Sequence, residues 1–137
     1  MRKDAKLELL RQVPLFAGCT KKELDEISTL ADELSLPAGA KLIEEGRHGH
    51  EFFLLVDGSV DVSAKGRKLK TLSDGAFFGE MALVSQRPRN ATVTAASPIR
   101  VLVVHESGFR RLLHDSPQIQ LKVLQTLADR AAENAPH

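Results

Sequence analysis

The hydrophobic period of this sequence changes twice, from helix-like to strand-like and back, which commits the chain to a glycine-punctuated β segment held between helices. Near the start, Thr20 with Glu23 forms a capping-box signature, and Leu24, Ile27, Leu30, Ala31 and Leu34 follow at spacings of three and four. That spacing predicts an amphipathic helix, with residues 1–34 as an N-terminal helical segment. A shorter helix over Asp4 to Arg11 precedes it, ended by Val13-Pro14 because the residue before a proline is pushed out of helical backbone.

From Leu36 to His105 short apolar segments alternate with Gly39, Gly46, Gly49, Gly58, Gly66, Gly75 and Gly79, and Val, Ile, Phe and Thr are enriched. Many short strands with glycine turns imply a sandwich or barrel, placed at residues 35–105. Glu51 to Val56 and Ser59 to Ala64 read as a hairpin, joined by Asp57-Gly58, a dipeptide suited to a type I′ turn. Val60 and Val62 alternate with Ser59, Asp61 and Ser63, which gives that strand one solvated face, while Ile99 to Val104 reads as a more buried strand. Helical period returns with Phe109, Leu112 and Leu113, and Ser116-Pro117 then supplies an N-cap and a first-turn proline. Ile119, Leu121, Val123, Leu124, Leu127 and Ala128 carry a last helix to about Ala132, with Leu121, Leu124, Leu127 and Ala128 read as core contacts against the barrel, so residues 106–133 hold two C-terminal helices.

Composition narrows the function. With 137 residues the chain reads as one domain able to bury roughly two thirds of its unfolded surface. Nineteen Lys+Arg against 18 Asp+Glu leave a formal charge of +1, which supplies no drive towards a nucleic-acid polymer. The basic run Lys65-Gly66-Arg67-Lys68-x-Lys70 is read as a solvated hairpin turn, since no aromatic interleaves it. The single Cys19 cannot form an intrachain disulfide. No signal peptide heads the chain, and its longest apolar run, Ile99 to Val104, is interrupted by Arg100. A cytoplasmic protein that does not insert into a membrane is expected.

The segment Leu72 to Ala95 carries the chemistry. A helical turn opening at Gly79 would expose backbone N–H groups and the positive end of its dipole, and glycine lets a phosphate approach closely. Arg89 can add a planar fork of donors to the same anion. Glu80 repels phosphate and suits a hydroxyl, so a ligand carrying both groups fits the pair. His48-Gly49-His50 raises a cupin-like metal enzyme as an alternative, but Phe52 to Val56 lack the glutamate such a site needs. His105 and His114 read as boundary residues of a short helix, and Cys19 has no context that would lower its pKa. No Ser/His/Asp set, Walker loop or paired metal-binding carboxylates point to turnover, so no enzyme is expected.

Phe78-Gly79-Glu80-Met81-Ala82-Leu83 followed by Pro88-Arg89-Asn90-Ala91-Thr92 resembles the phosphate-binding cassette of the cyclic nucleotide-binding domain family. Pro37-x-Gly39, Ile43, Gly46, Gly49, Phe52-Phe53, Gly58-x-Val60 and Val62 extend the likeness along the barrel. It is most like the ligand-gating domains of bacterial cyclic nucleotide-regulated potassium channels. The resemblance implies an α+β fold, an antiparallel β jelly-roll barrel flanked by N-terminal helices and two C-terminal helices, with the cassette at about residues 75–92. It further implies that Glu80 accepts from a ribose 2′-hydroxyl and Arg89 pairs with the cyclic phosphate. Backbone around Gly79, Met81, Ala82, Asn90 and Ala91 would complete the cradle. Family members often carry Ser, Thr or Ala after the arginine, and a threonine there is associated with cGMP; Asn90 departs from that pattern.

A cAMP receptor is therefore expected, with cGMP as the alternative ligand, no metal and no other cofactor. No aromatic residue lies on the last helix, so Arg130 or an aliphatic side chain such as Leu127 would cap the purine, or the base would stay partly open. The last helix leaves no room for a DNA-binding motif, a kinase or a pore, so the output would lie in an effector protein or in a parent channel or enzyme. A degenerate fold kept as an interaction module is the competing reading.

Overall fold

The structure, a computed structural model, describes residues 3–13, 16, 18–79 and 87–134. Two helices open the chain, α1 (Lys3–Gln12) and α2 (Lys21–Thr29). Eight strands follow: β1 (Ala31–Leu36), β2 (Lys41–Ile43), β3 (Glu51–Asp57), β4 (Val60–Ala64), β5 (Arg67–Leu72), β6 (Phe77–Phe78), β7 (Thr92–Ala95) and β8 (Ile99–His105). Helices α3 (Glu106–Asp115) and α4 (Pro117–Asn134) close it. All strand pairs are antiparallel, in two four-stranded sheets ordered β1-β8-β3-β6 and β2-β7-β4-β5. The described strands thus form two four-stranded antiparallel sheets, as a sandwich does, and no closed barrel.

The first sheet is the middle layer of the molecule. Strands alternate side chains between faces, so a strand buried on both sides reads as a continuous apolar run. In β3, Phe52, Leu54 and Val56 join a core with the helices, while Phe53 and Leu55 join a second core against the other sheet. In β8, Leu102 and Val104 face the first core and Ile99 and Val101 the second. Phe77 and Phe78 of β6 divide in the same way. The helical core is knitted by aromatic edges: Phe16 lies 6.3 Å from Phe52 and 6.1 Å from Phe109, ring centre to ring centre.

The capping box is present in full. Thr20 Oγ1 accepts from the Glu23 N–H at 3.1 Å, and Glu23 Oε1 accepts from the Thr20 N–H at 2.7 Å. Glu23 also accepts from Ser116 Oγ at 3.1 Å, and Ser116 in turn accepts from the Ile119 N–H, so one carboxylate joins the starts of α2 and α4. These hydrogen bonds, that of Thr20 first, hold the Glu23 carboxyl below its ordinary range.

Three expectations are corrected. The helix ends at Thr29, and Ala31 and Leu34 belong to β1, so the β region starts before residue 35. Pairing of Ala31–Leu36 along β8 satisfies a whole row of backbone groups, and this tertiary gain outweighs the local helical spacing. Secondly, β3 and β4 are not a hairpin. At Asp57-Gly58 the chain crosses between sheets: Gly58 has φ +95°, its N–H donates to Asp74 Oδ1 at 2.9 Å, and Asp57 lies outside the left-handed region. The tight hairpin is β4–β5, turned at Lys65 (φ 53°) and Gly66 (φ 76°). Arg67, Lys68 and Lys70 consequently lie along exposed β5, where charge protects a sheet edge, rather than in a turn. Thirdly, Leu121, Leu124 and Ala128 are exposed; the buried stripe of α4 is Ile119, Val123 and Leu127.

A Cβ on Gly58 would stand 2.5 Å from the Pro98 carbonyl oxygen and 2.8 Å from Ile99 Cγ2, on backbone already at positive φ. Gly58→Ala should lower stability by more than about 1 kcal/mol in urea unfolding. Because the Glu23 pKa is depressed, its contribution is present above the unfolded carboxyl pKa and fades as pH falls through the folded value. Glu23→Gln should therefore lower the melting temperature at neutral pH, and the gap to the parent should narrow steadily on acidification.

Candidate functional site

Arg89 is held by its main chain before its side chain does anything. Its N–H donates to the Arg47 carbonyl at 2.8 Å, and its own carbonyl accepts from the Gly46 N–H at 2.8 Å, pairing the approach to β7 with the loop between β2 and β3. The side chain then runs back along that loop. Nη2 donates to the Glu51 carbonyl at 2.7 Å and Nη1 to the Gly79 carbonyl at 3.2 Å. Those carbonyls orient the guanidinium and carry no charge of their own. Gly79 has φ +84°, and a Cβ there would lie 2.9 Å from the Glu51 oxygen and 3.1 Å from Arg89 Nη1. Glycine is thus demanded twice at this position, by conformation and by space.

Arg89 lines a cavity of about 210 Å³ together with Lys41, Leu42, Ile43, Glu44, Arg47, His48, Gly49 and Glu51. Glu44 sits between two of the cations, 2.9 Å from Arg47 Nε and 3.9 Å from Lys41 Nζ. The wall of this cavity comes from β2 and the 44–49 loop, a set the sequence reading missed as site residues. The spacing of Gly46 and Gly49 was the available signal, since it marks a loop that can lie close to another chain segment.

Of the residues expected in the site, Gly79, Arg89, Asn90 and Ala91 are described, and the first two are in direct contact. Asn90 is exposed and Ala91 half-buried, immediately before β7. Glu80, Met81 and Ala82 lie outside the described residues, as does the side chain of Arg130, whose backbone is on α4. Leu127, the other proposed cap, is buried in the helical core.

His50 belongs to a polar link with the start of α3. Its Nδ1 is 2.9 Å from Glu106 Oε2, and its carbonyl accepts from the Glu106 N–H at 2.6 Å. Glu106 also pairs with Arg110 Nε at 2.8 Å, and the His50 hydrogen bond leads the interactions that lower its pKa. The loop lining the cavity is thereby fastened to the first residue of α3. His105 caps the same helix, accepting from the Ser107 N–H at 3.2 Å. Among the described residues, no group of three or more His, Cys, Asp or Glu side chains is placed to hold a metal ion. Burial, followed by the nearby Glu23 charge, pushes the Cys19 thiol up, away from nucleophilic reactivity. No helix among the described residues is long and apolar enough to cross a membrane.

Residues 33–116 match the model of the cyclic nucleotide-binding domain. A cyclic nucleotide-gated potassium channel of Mesorhizobium japonicum is 40% identical, over 82% of this chain and 31% of the channel. The cAMP-dependent protein kinase regulatory subunit of Colletotrichum orbiculare is 37% identical, over 77% of this chain and 28% of the subunit. The chain therefore spans less than a third of either relative. Among solved structures, cAMP-bound PfPKA-R superposes with a TM-score of 0.76 at 28% identity, covering 92% of this chain and 47% of that one. With the matched segment running from β1 through the Arg89 cavity to the start of α4, the chain belongs to the cyclic nucleotide-binding domain family.

Proposed function

We propose that the chain is a single, non-enzymatic regulatory domain that binds a 3′,5′-cyclic nucleotide, cAMP before cGMP, in the Arg89 cavity. One observation carries the reading: a guanidinium oriented by two backbone carbonyls at a cavity wall. A planar fork of charged donors suits a cyclic phosphodiester. The cAMP-dependent relatives support the choice of ligand. Arg89 meets the phosphate, Gly79, Met81, Ala82, Asn90 and Ala91 line its cradle, Glu80 accepts from the ribose hydroxyl, and Arg130 stacks on the purine. The strand orders support reading the two sheets as a jelly roll.

Binding acts by population shift: a ligand that favours one arrangement of α3 and α4 moves the equilibrium by its differential affinity for that arrangement. The His50–Glu106 link supports this route, because the cavity loop and the start of α3 share two hydrogen bonds. The output passes to an effector protein or to further domains such as those of the channel and kinase-subunit relatives.

Titration calorimetry with cAMP and cGMP tests the reading, and no heat together with no thermal shift at millimolar ligand would reject it. Arg89→Ala should cost roughly 2 to 5 kcal/mol of binding, or about 30-fold to several-thousand-fold in affinity. Arg89→Lys should also bind weakly, because an ammonium cannot reproduce the fork. Arg130→Ala should weaken both purine nucleotides while leaving the cassette contacts in place; equal affinity would move the lid to Leu127 or to no residue.

A further inference from the structure

We propose that Gly49 is a positioning residue: its missing side chain is the seat on which the Arg89 guanidinium lies. The proposal rests on the reading that Arg89 meets the ligand phosphate. Its starting point is a glycine without a conformational reason to be glycine. Gly39, Gly46, Gly58, Gly66, Gly75 and Gly79 all have positive φ, whereas Gly49 lies outside the left-handed region. Space supplies the reason. A Cβ built on Gly49 would overlap Nε and Nη2 of Arg89 and stand 2.6 Å from Cζ, so its three nearest atoms would all belong to the guanidinium.

The surrounding contacts leave the side chain little alternative. The main chain of Arg89 is already paired with Gly46 and Arg47, so it cannot slide to make room. The guanidinium ends on the Glu51 and Gly79 carbonyls, one of them at the first residue of β3, two positions beyond Gly49. The loop and the start of β3 are therefore a template for this arginine: they pair with its backbone at 46–47, leave a gap at 49 and accept from the head group at 51. A methyl group at 49 would meet no atom nearer than the guanidinium. It would move the flexible end of Arg89 off the Glu51 carbonyl and present the phosphate with a misplaced fork. Binding groups need their geometry held to within about 0.5 Å, so this shift should cost affinity while sparing the fold.

The test is a cycle of Gly49→Ala, Arg89→Ala and the double variant, each followed by calorimetric titration with cAMP and by thermal unfolding without ligand. Gly49→Ala should lower cAMP affinity by more than about twofold, in the direction of the Arg89→Ala loss, as expected for a displaced binding group. Any drop in melting temperature that it causes should vanish in the Arg89→Ala background, where the group it collides with is gone. Affinity within a factor of two of the parent would overturn the proposal, as would a stability loss undiminished in the double variant. If the parent itself bound neither cAMP nor cGMP, the nucleotide reading would fall, and an effect of Gly49→Ala on the melting temperature that is the same with and without the Arg89 side chain would still overturn the seat.

Discussion

Burial of one sheet on both faces is the constraint from which the rest of this structure follows. Strands β3 and β8 lie at the centre of the first sheet and send alternate side chains into two cores, one shared with the helices and one with the second sheet. A sheet covered on both sides has no solvated face to absorb a register error, because a slip of one residue exchanges the two cores. Phe52 and Phe53 cannot trade places: the first packs with Phe16 and Phe109, the second stacks on Phe78 with ring centres 5.2 Å apart. The register of β3 in turn places Glu51 at its start, and the Glu51 carbonyl is where Arg89 is held.

The Arg89 cavity wall is thus built by the scaffold around it. Arg89 depends on a loop that pairs with its backbone, on a carbonyl presented by β3 and on two glycines that give it room. The same loop is fastened through His50 to Glu106 at the start of α3, so the cavity and the C-terminal helices share a short covalent and hydrogen-bonded path. At the other end of α3, Ser116 links the start of α4 to the Glu23 capping box of α2. A helix tied at its start to the N-terminal helices and buried through Ile119, Val123 and Leu127 is well placed to report on how those elements sit.

Much of this was legible beforehand. The Thr20–Glu23 box, the alternation of β4, the buried run of β8 and the Ser116-Pro117 start of α4 are local signals, each satisfied by residues within a few positions of one another. Arg89 stood out through its Pro88-Arg89 context and its spacing from Glu80, and the structure sets it at the wall of a cavity. The failures share one cause. Asp57-Gly58 and Lys65-Gly66 are both good turn dipeptides, and nothing local says that the first crosses between sheets while the second closes a hairpin. Ala31 and Leu34 continue a helical spacing but are claimed by β8, which lies far along the chain.

The sequence by itself determined the order of helical and extended segments, their caps, and which residue types could meet an anion, because propensity, periodicity and side-chain chemistry act over a few neighbouring residues. Only the tertiary structure decided which strands pair, that the sheets remain two, and that Gly49 lies against Arg89, because those contacts join distant segments through shared space. The twice-changed period foretold a β unit between helices; the packing of its central sheet determined where the arginine would point.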